Sequence, residues 1–192
     1  MSLLHYVSHP NVVIDPDVPV PSWGLSDEGR RRARAMLDQP WLASVRRIVS
    51  SAEAKAEETA DIVGERLGIE AEVRPSTGEI DRSATGYVSH ERHEELADRV
   101  FAEPERSADG WETAIAAQER VVSALVDLLD DDGARGGDVL VVGHGGVGTL
   151  LLCHLAMVPI DRRHDQPGQG HHWAFDRAAG RLVHAWEPID RR

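Results

Sequence analysis

The segment Val139-Leu140-Val141-Val142-Gly143-His144-Gly145-Gly146-Val147-Gly148 constrains the fold of this chain more than any other. Four apolar, mostly β-branched residues bounded by glycine read as a strand buried on both faces, the kind found in parallel sheets. The apolar stretch that follows, Thr149 to Met157, has helical character, so the expected unit is strand, tight turn, helix. Open α/β folds bind ligands at the carboxyl ends of their strands, which places His144 at a ligand edge. The glycines bring bare backbone N–H groups to the first helical turn, where the dipole favours negative charge. Gly145 is therefore a candidate anion contact, with the His144 imidazole facing the same charge.

Two further segments carry similar punctuation. Leu3-Leu4-His5-Tyr6-Val7 reads as a first strand ended by Ser8-His9-Pro10, so a second histidine stands at a strand end. Val45-Arg46-Arg47-Ile48-Val49 reads as another strand, followed by Ser50-Ser51-Ala52-Glu53-Ala54-Lys55. Ser50 and Glu53 have capping-box spacing, which starts a helix with Ser51 and Lys55 at its amino end. Alone, each of these is ordinary: strand-end histidines are often plain hydrogen-bonded residues, and charges four apart are common on helix surfaces. Two such histidines from distant parts of the chain suggest one shared pocket.

Spacing predicts helices over 26–37, 54–67, 91–102, 113–129 and 147–157, the fourth showing its apolar face through Ile115, Val122, Leu125 and Leu129. Strands are expected near Leu4, Ile48, Val73 and Leu140, with a final pair at Trp173-Ala174-Phe175 and Leu182-Val183-His184 joined across Ala179-Gly180. This alternation makes an α/β fold: a mainly parallel sheet with helices on both faces. The proline-rich stretch 15–21 is a loop near the His9 edge. No linker or internal repeat divides the chain, so 1–192 is expected to be one domain.

The ordered set of segments resembles the histidine phosphatase superfamily, the phosphoglycerate mutase-like proteins. The stretches that carry the resemblance are Ser8-His9-Pro10, Leu25 to Ala33, Ser50 to Ala60, Gly78-Glu79-Ile80-Asp81 and Gly143-His144-Gly145-Gly146, in family order over nearly the whole chain. The resemblance implies a three-layer sandwich and a phosphomonoester hydrolase acting on a small phosphorylated molecule. His9 would match the nucleophile that forms phosphohistidine, His144 the group that stabilises the transferring oxygens, and Glu79 the acid that protonates the leaving alcohol. Such chemistry needs no cofactor and no metal. The residues at about 83–111 would match an insertion that covers the active site.

The chain departs from the family pattern at the phosphate. Ser8 replaces an arginine before the nucleophile, Pro10 replaces a glycine after it, Lys55 stands where a second arginine usually lies, and Asp15 occupies a position that is often asparagine. A serine cannot supply the parallel donors of a guanidinium, and a lysine acts only as a point charge. Ser8, Asp15 and Lys55 are thus expected to make a weaker phosphate pocket. Arg82, beside Glu79 in the same loop, is the first candidate replacement cation. His172, near the late strand, is expected to be a polar pocket residue, whereas Arg120 reads as a solvated helix residue.

Composition excludes several classes. A net charge of −12 argues against nucleic acid, which is held by clustered lysine and arginine. Apolar content of 41% without a long hydrophobic run argues against disorder and membrane insertion, and the cytoplasm is the expected location. A single Cys153 permits no internal disulfide and reads as core. His90 and His93 lack a clear third ligand, so no metal is assigned. A homo-oligomer is left open. Two alternatives remain: a catalytically weak or inactive ligand-binding protein on the same fold, and a dinucleotide-binding oxidoreductase, because residues 143–148 also spell Gly-x-Gly-x-x-Gly.

Overall fold

A computed structural model describes residues 2–129 and 136–191. Six strands form one sheet in the order β3-β2-β4-β1-β5-β6, with β1 at Leu3–Ser8, β2 at Val45–Ser50, β3 at Ala71–Val73, β4 at Asp138–Gly143, β5 at His171–Asp176 and β6 at Arg181–Pro188. The pairings β2–β3, β2–β4 and β1–β4 are parallel, and β1–β5 and β5–β6 are antiparallel. The helices are α1 (Asp27–Met36), α2 (Ala54–Leu67), α3 (His90–Ala102), α4 (Ala114–Leu129) and α5 (Gly145–Leu155).

Strand periodicity builds the two faces. Leu4 and Tyr6 of β1 and Val139 and Val141 of β4 pack with α3, α4 and α5 in one cluster. Val7, Leu140 and Val142 alternate onto the other face and pack with Met36 of α1 and Ala56, Ala60 and Val63 of α2. Local chemistry sets the helix ends: the Ser26 side chain accepts from Gly29 N and the Ser89 side chain from Arg92 N, while Gly68 closes α2 in the left-handed region at φ 68°. The buried α4 stripe is Ala114, Ala117, Val121, Leu125 and Leu128, sharing only Leu125 with the one expected. Ile115 and Val122 are only partly buried, and the side chain of Leu129 lies outside the described ones. The buried helix face is centred on small alanines, which the expected pattern of large residues passed over.

His172 lies on the face away from Tyr6 and Trp173. It is stacked on Trp41, itself stacked on His5, with ring centroids 5.3 and 4.4 Å apart, and meets His184 edge-on at 4.7 Å. It does not reach the pocket, because one residue of strand period separates it from the Trp173 side. Burial, reinforced by His184, lowers its pKa to about 4. With an unfolded value near 6.5, the unfolded state binds the proton first, so this group's contribution is complete above pH 6.5 and is lost as pH falls towards 4. At pH 5 the loss is about 2 kcal/mol. Thermal melts at pH 7 and pH 5 should show a smaller acid-induced drop in Tm for His172→Phe than for the wild type.

Candidate active site

The topology brings the two strand-end histidines together. β1 and β4 are parallel neighbours with Ser8 opposite Gly143, so the next residue of each strand, His9 and His144, emerges at the same edge. Their rings meet edge-on with centroids 5.3 Å apart. β2 adds Ser51 from the other side of β4, and its hydroxyl lies 2.7 Å from His144 Nε2.

The His9 backbone is held at both ends: its N–H donates to Gly143 O at 2.9 Å and its carbonyl accepts from Gly170 N at 3.0 Å. Its side-chain Nδ1 is 2.9 Å from Pro10 O. A carbonyl can only accept, so Nδ1 carries the hydrogen and Nε2 keeps a bare lone pair. The bond uses a main-chain oxygen, which is why proline can stand at position 10. Burial, aided by the neighbouring His144, lowers the His9 pKa to about 3, so the imidazole is neutral near pH 7.

His144 is fully buried. Its peptide is gripped by the Tyr6 hydroxyl, which donates to His144 O and accepts from His144 N, both at 3.0 Å. Its Nε2 is also 3.3 Å from Glu53 Oε1. Burial favours the neutral ring, against the pull of the Glu53 and Glu79 carboxylates. Burial alone would raise Glu53, yet its interactions with His144 and Lys55 hold it down at about 2. The expected capping box is therefore absent. Glu53 turns its carboxylate into the site, where it binds Lys55 Nζ and accepts from Glu79 N at 3.0 Å, while Ser50 donates to Ser51 O.

Glu79 sits over the amino end of α5. Its carboxylate accepts from Gly146 N and Val147 N, both at 3.0 Å, and from Ile80 N at 2.9 Å. The Gly146 N–H, expected to be free for an anion, is thus occupied by a carboxylate together with its neighbour Val147 N–H. Burial pushes Glu79 upward, but His144, Arg82 and the Ile80 N–H outweigh it and lower its pKa. Arg120, expected to be solvated, fastens this loop: it donates to Ser76 O, Gly78 O and Glu79 O and pairs with Glu112.

The other expected residues separate into two groups. Lys55, Arg82 and Gly145 line the cavity with His9 and Glu79. Lys55 is buried and spends its charge on Glu53 and Val20 O, whereas Arg82 lies over the Trp111 ring at 5.5 Å with no carboxylate partner among the described residues. Ser8, Asp15 and His172 are not on the cavity wall. Asp15 is exposed, and its carboxylate accepts from Asp17 N in a turn of the loop. Ser8 is fully buried: it accepts from His171 N at 3.1 Å and donates to Gln166 Oε1.

That last contact reveals a residue the sequence reading missed. Ser8 fixes the Gln166 amide with its oxygen inward, and the amide nitrogen lies against Gly145, where any Cβ would collide with it. The other glycines make room in the same way: Cβ atoms at 143 and 148 would strike Tyr6, and one at 146 would strike Glu79. The Gly-x-Gly-x-x-Gly spacing thus reflects the packing of site side chains. Among the described residues, no three histidine, cysteine or acidic side chains gather as a metal-binding group. No described helix is long and apolar enough to cross a membrane.

The fold has close relatives in shape. It superposes on mycobacterial glucosyl-3-phosphoglycerate phosphatase with inorganic phosphate at TM-score 0.82 and 20% identity, covering 100% of both chains. Phosphoserine phosphatase from Entamoeba histolytica, in complex with 3-phosphoglyceric acid, gives 0.80 at 16% identity over 97% and 98% of the two chains. A putative alpha-ribazole-5'-P phosphatase from Escherichia coli gives 0.77 at 18% over 98% of each. No curated protein matches by sequence. The histidine phosphatase superfamily (branch 1) model matches residues 14–175, beginning just after the His9 strand end. That match overturns the dinucleotide-binding alternative, and it agrees with a sheet edge where two buried histidines meet: the chain belongs to the histidine phosphatase superfamily, branch 1.

Proposed function

We propose that this protein hydrolyses a small phosphomonoester through a phosphohistidine on His9. The observation that carries the reading is the neutral His9 ring, its Nδ1 tied to Pro10 O and its Nε2 bare, packed against the buried His144 and lining a cavity together with Glu79. Nε2 attacks phosphorus as the ester P–O bond breaks, and Glu79 gives its proton to the leaving alkoxide. The Glu79 carboxylate then takes a proton from water, which attacks the phosphohistidine, breaks the P–N bond and releases phosphate. Glu79 must reach this role from its ionised resting state. A phosphoryl dianion placed beside it disfavours the carboxylate and raises its pKa. The same dianion favours protonation of His144, whose buried Nδ1 has no hydrogen-bond partner among the described residues.

The departures from the family pattern are accommodated by neighbours. Arg82 is the cation for the phosphoryl oxygens, since Lys55 is neutralised by Glu53. Gln166 supplies a neutral donor beside Gly145 N, and Ser8 acts through it as a positioning residue. Incubation with a reactive phosphoryl donor followed by rapid quench should yield an acid-labile, base-stable phosphoenzyme that maps to His9. Hydrolysis without such a species would reject the covalent route, and absence of both would leave a ligand-binding protein on this fold. For Gln166, removing a neutral donor to an anion is worth on the order of tenfold in affinity. Gln166→Ala should therefore raise the Ki for inorganic phosphate or vanadate by that factor, and an unchanged Ki would remove Gln166 from the pocket chemistry.

A further inference from the structure

The cavity above the histidines measures about 560 Å³, the size of a site for a drug-sized ligand and far more than a phosphoryl group fills. Part of its wall is apolar. Ile14, Val20 and Trp23 come from the loop after β1, and Tyr87, Val88 and Trp111 come from the 83–111 segment. Trp23 and Tyr87 touch across this region with ring centroids 5.5 Å apart.

The indole N–H groups of these walls are already engaged. Trp23 Nε1 donates to Asp15 O and Val18 O, both at 2.9 Å, and Trp111 Nε1 donates to Thr85 Oγ1 at 2.9 Å. Trp23 is therefore left with only its apolar ring surface to offer a ligand, whereas the Trp111 ring already carries Arg82 over it at 5.5 Å. Ile14 and Tyr87 are 60% and 43% exposed, among the few large hydrophobic side chains the described surface leaves in water. An apolar surface continuous with a reacting centre gains free energy when a ligand covers it.

Charge disfavours an anionic alcohol here. Arg162 is shared among Glu94, Asp98 and Asp165, and Glu94 and Asp165 line the cavity, so this side carries more negative charge than positive. Lys55 is spent on Glu53, and Arg82 lies on the Glu79 side with the phosphoryl group. Among the described residues of the cavity wall, Lys55 and Arg162 are already paired with carboxylates, and only Arg82, which the phosphoryl group takes, has none.

Building on the phosphatase reading, we propose that the substrate is the phosphomonoester of an uncharged alcohol bearing an apolar, ring-sized group that rests on Trp23 and Tyr87. Carboxylated esters such as 3-phosphoglycerate are then poor substrates, although a structural neighbour is seen with 3-phosphoglyceric acid.

Two readouts test this. Hydrolysis of 2-phenylethyl phosphate, ethyl phosphate and 3-phosphoglycerate compares leaving alcohols while keeping them all alkyl. Binding of benzylphosphonate and methylphosphonate, read by tryptophan fluorescence, requires no turnover. Covering a phenyl ring with apolar walls should favour 2-phenylethyl over ethyl phosphate in kcat/KM by roughly ten- to a hundredfold, and benzylphosphonate over methylphosphonate in Kd by a similar factor. Ile14→Ser with Tyr87→Ser, both at exposed positions, should collapse both preferences towards unity. If benzylphosphonate is preferred but no ester is hydrolysed, the ligand class stands and the hydrolase reading falls. Equal use of all three esters, a preference for 3-phosphoglycerate, or no preference between the phosphonates would overturn the proposal.

Discussion

His9→Ala is expected to lower kcat/KM for phosphomonoester hydrolysis by on the order of 10⁴- to 10⁶-fold, because in the proposed mechanism it removes the atom that becomes bonded to phosphorus. The fold should survive. The backbone bonds His9 N to Gly143 O and Gly170 N to His9 O do not involve the side chain. Among the described residues no other group is placed to take over: His144 Nε2 is engaged by Ser51 and Glu53, and Lys55 Nζ is bound by Glu53. Steady-state kinetics on purified wild type and variant, with circular dichroism as the control for folding, decide the matter. Residual activity within tenfold of wild type would show that the phosphoryl group goes elsewhere.

Glu79→Gln should cost about 10²- to 10⁴-fold on an alkyl phosphate and much less on 4-nitrophenyl phosphate. A basic alkoxide needs a proton as it departs, whereas a nitrophenolate leaves without one. The variant also tests the resting contact. The glutamine carbonyl retains one acceptor for the amino end of α5, but its amide nitrogen cannot accept from Gly146 N or Val147 N as the second carboxylate oxygen does. A Tm drop equivalent to roughly 1 to 2 kcal/mol should accompany the kinetic change. If both esters slow equally, the carboxylate holds α5 in place and does not donate the proton.

Much of the fold was readable from periodicity. The helix expected at 54–67 is α2 at the same limits, and each expected strand is present within the single sheet. The carboxyl-edge placement of His9 and His144 was equally legible, since a strand run stopped by glycine or proline marks where side chains emerge. Exchanges between neighbours were not. Glu53 has capping-box spacing after Ser50, but its carboxylate turns to Lys55, His144 and the Glu79 N–H, because a buried cation and a buried imidazole attract it more strongly than a solvated cap. Arg120 read as solvated because its partners, the carbonyls of 76, 78 and 79, are some forty residues away.

The sequence by itself determined the elements, their apolar faces and the two histidines at strand ends, because each depends on residues within one or two turns of each other. Tertiary structure alone decided which charges are free. Strand order set β1 beside β4, and so His9 against His144. Strand parity sent His172 into the stack with His5 and Trp41, on the face away from Tyr6 and Trp173. Chain folding put Glu53 on Lys55, leaving Arg82 as the wall cation with no carboxylate partner among the described residues, and put the Gln166 amide between Ser8 and Gly145. Periodicity is a local property of the backbone, but the charge and hydrogen bonding of a pocket depend on through-space distances of a few ångströms between residues far apart in the chain.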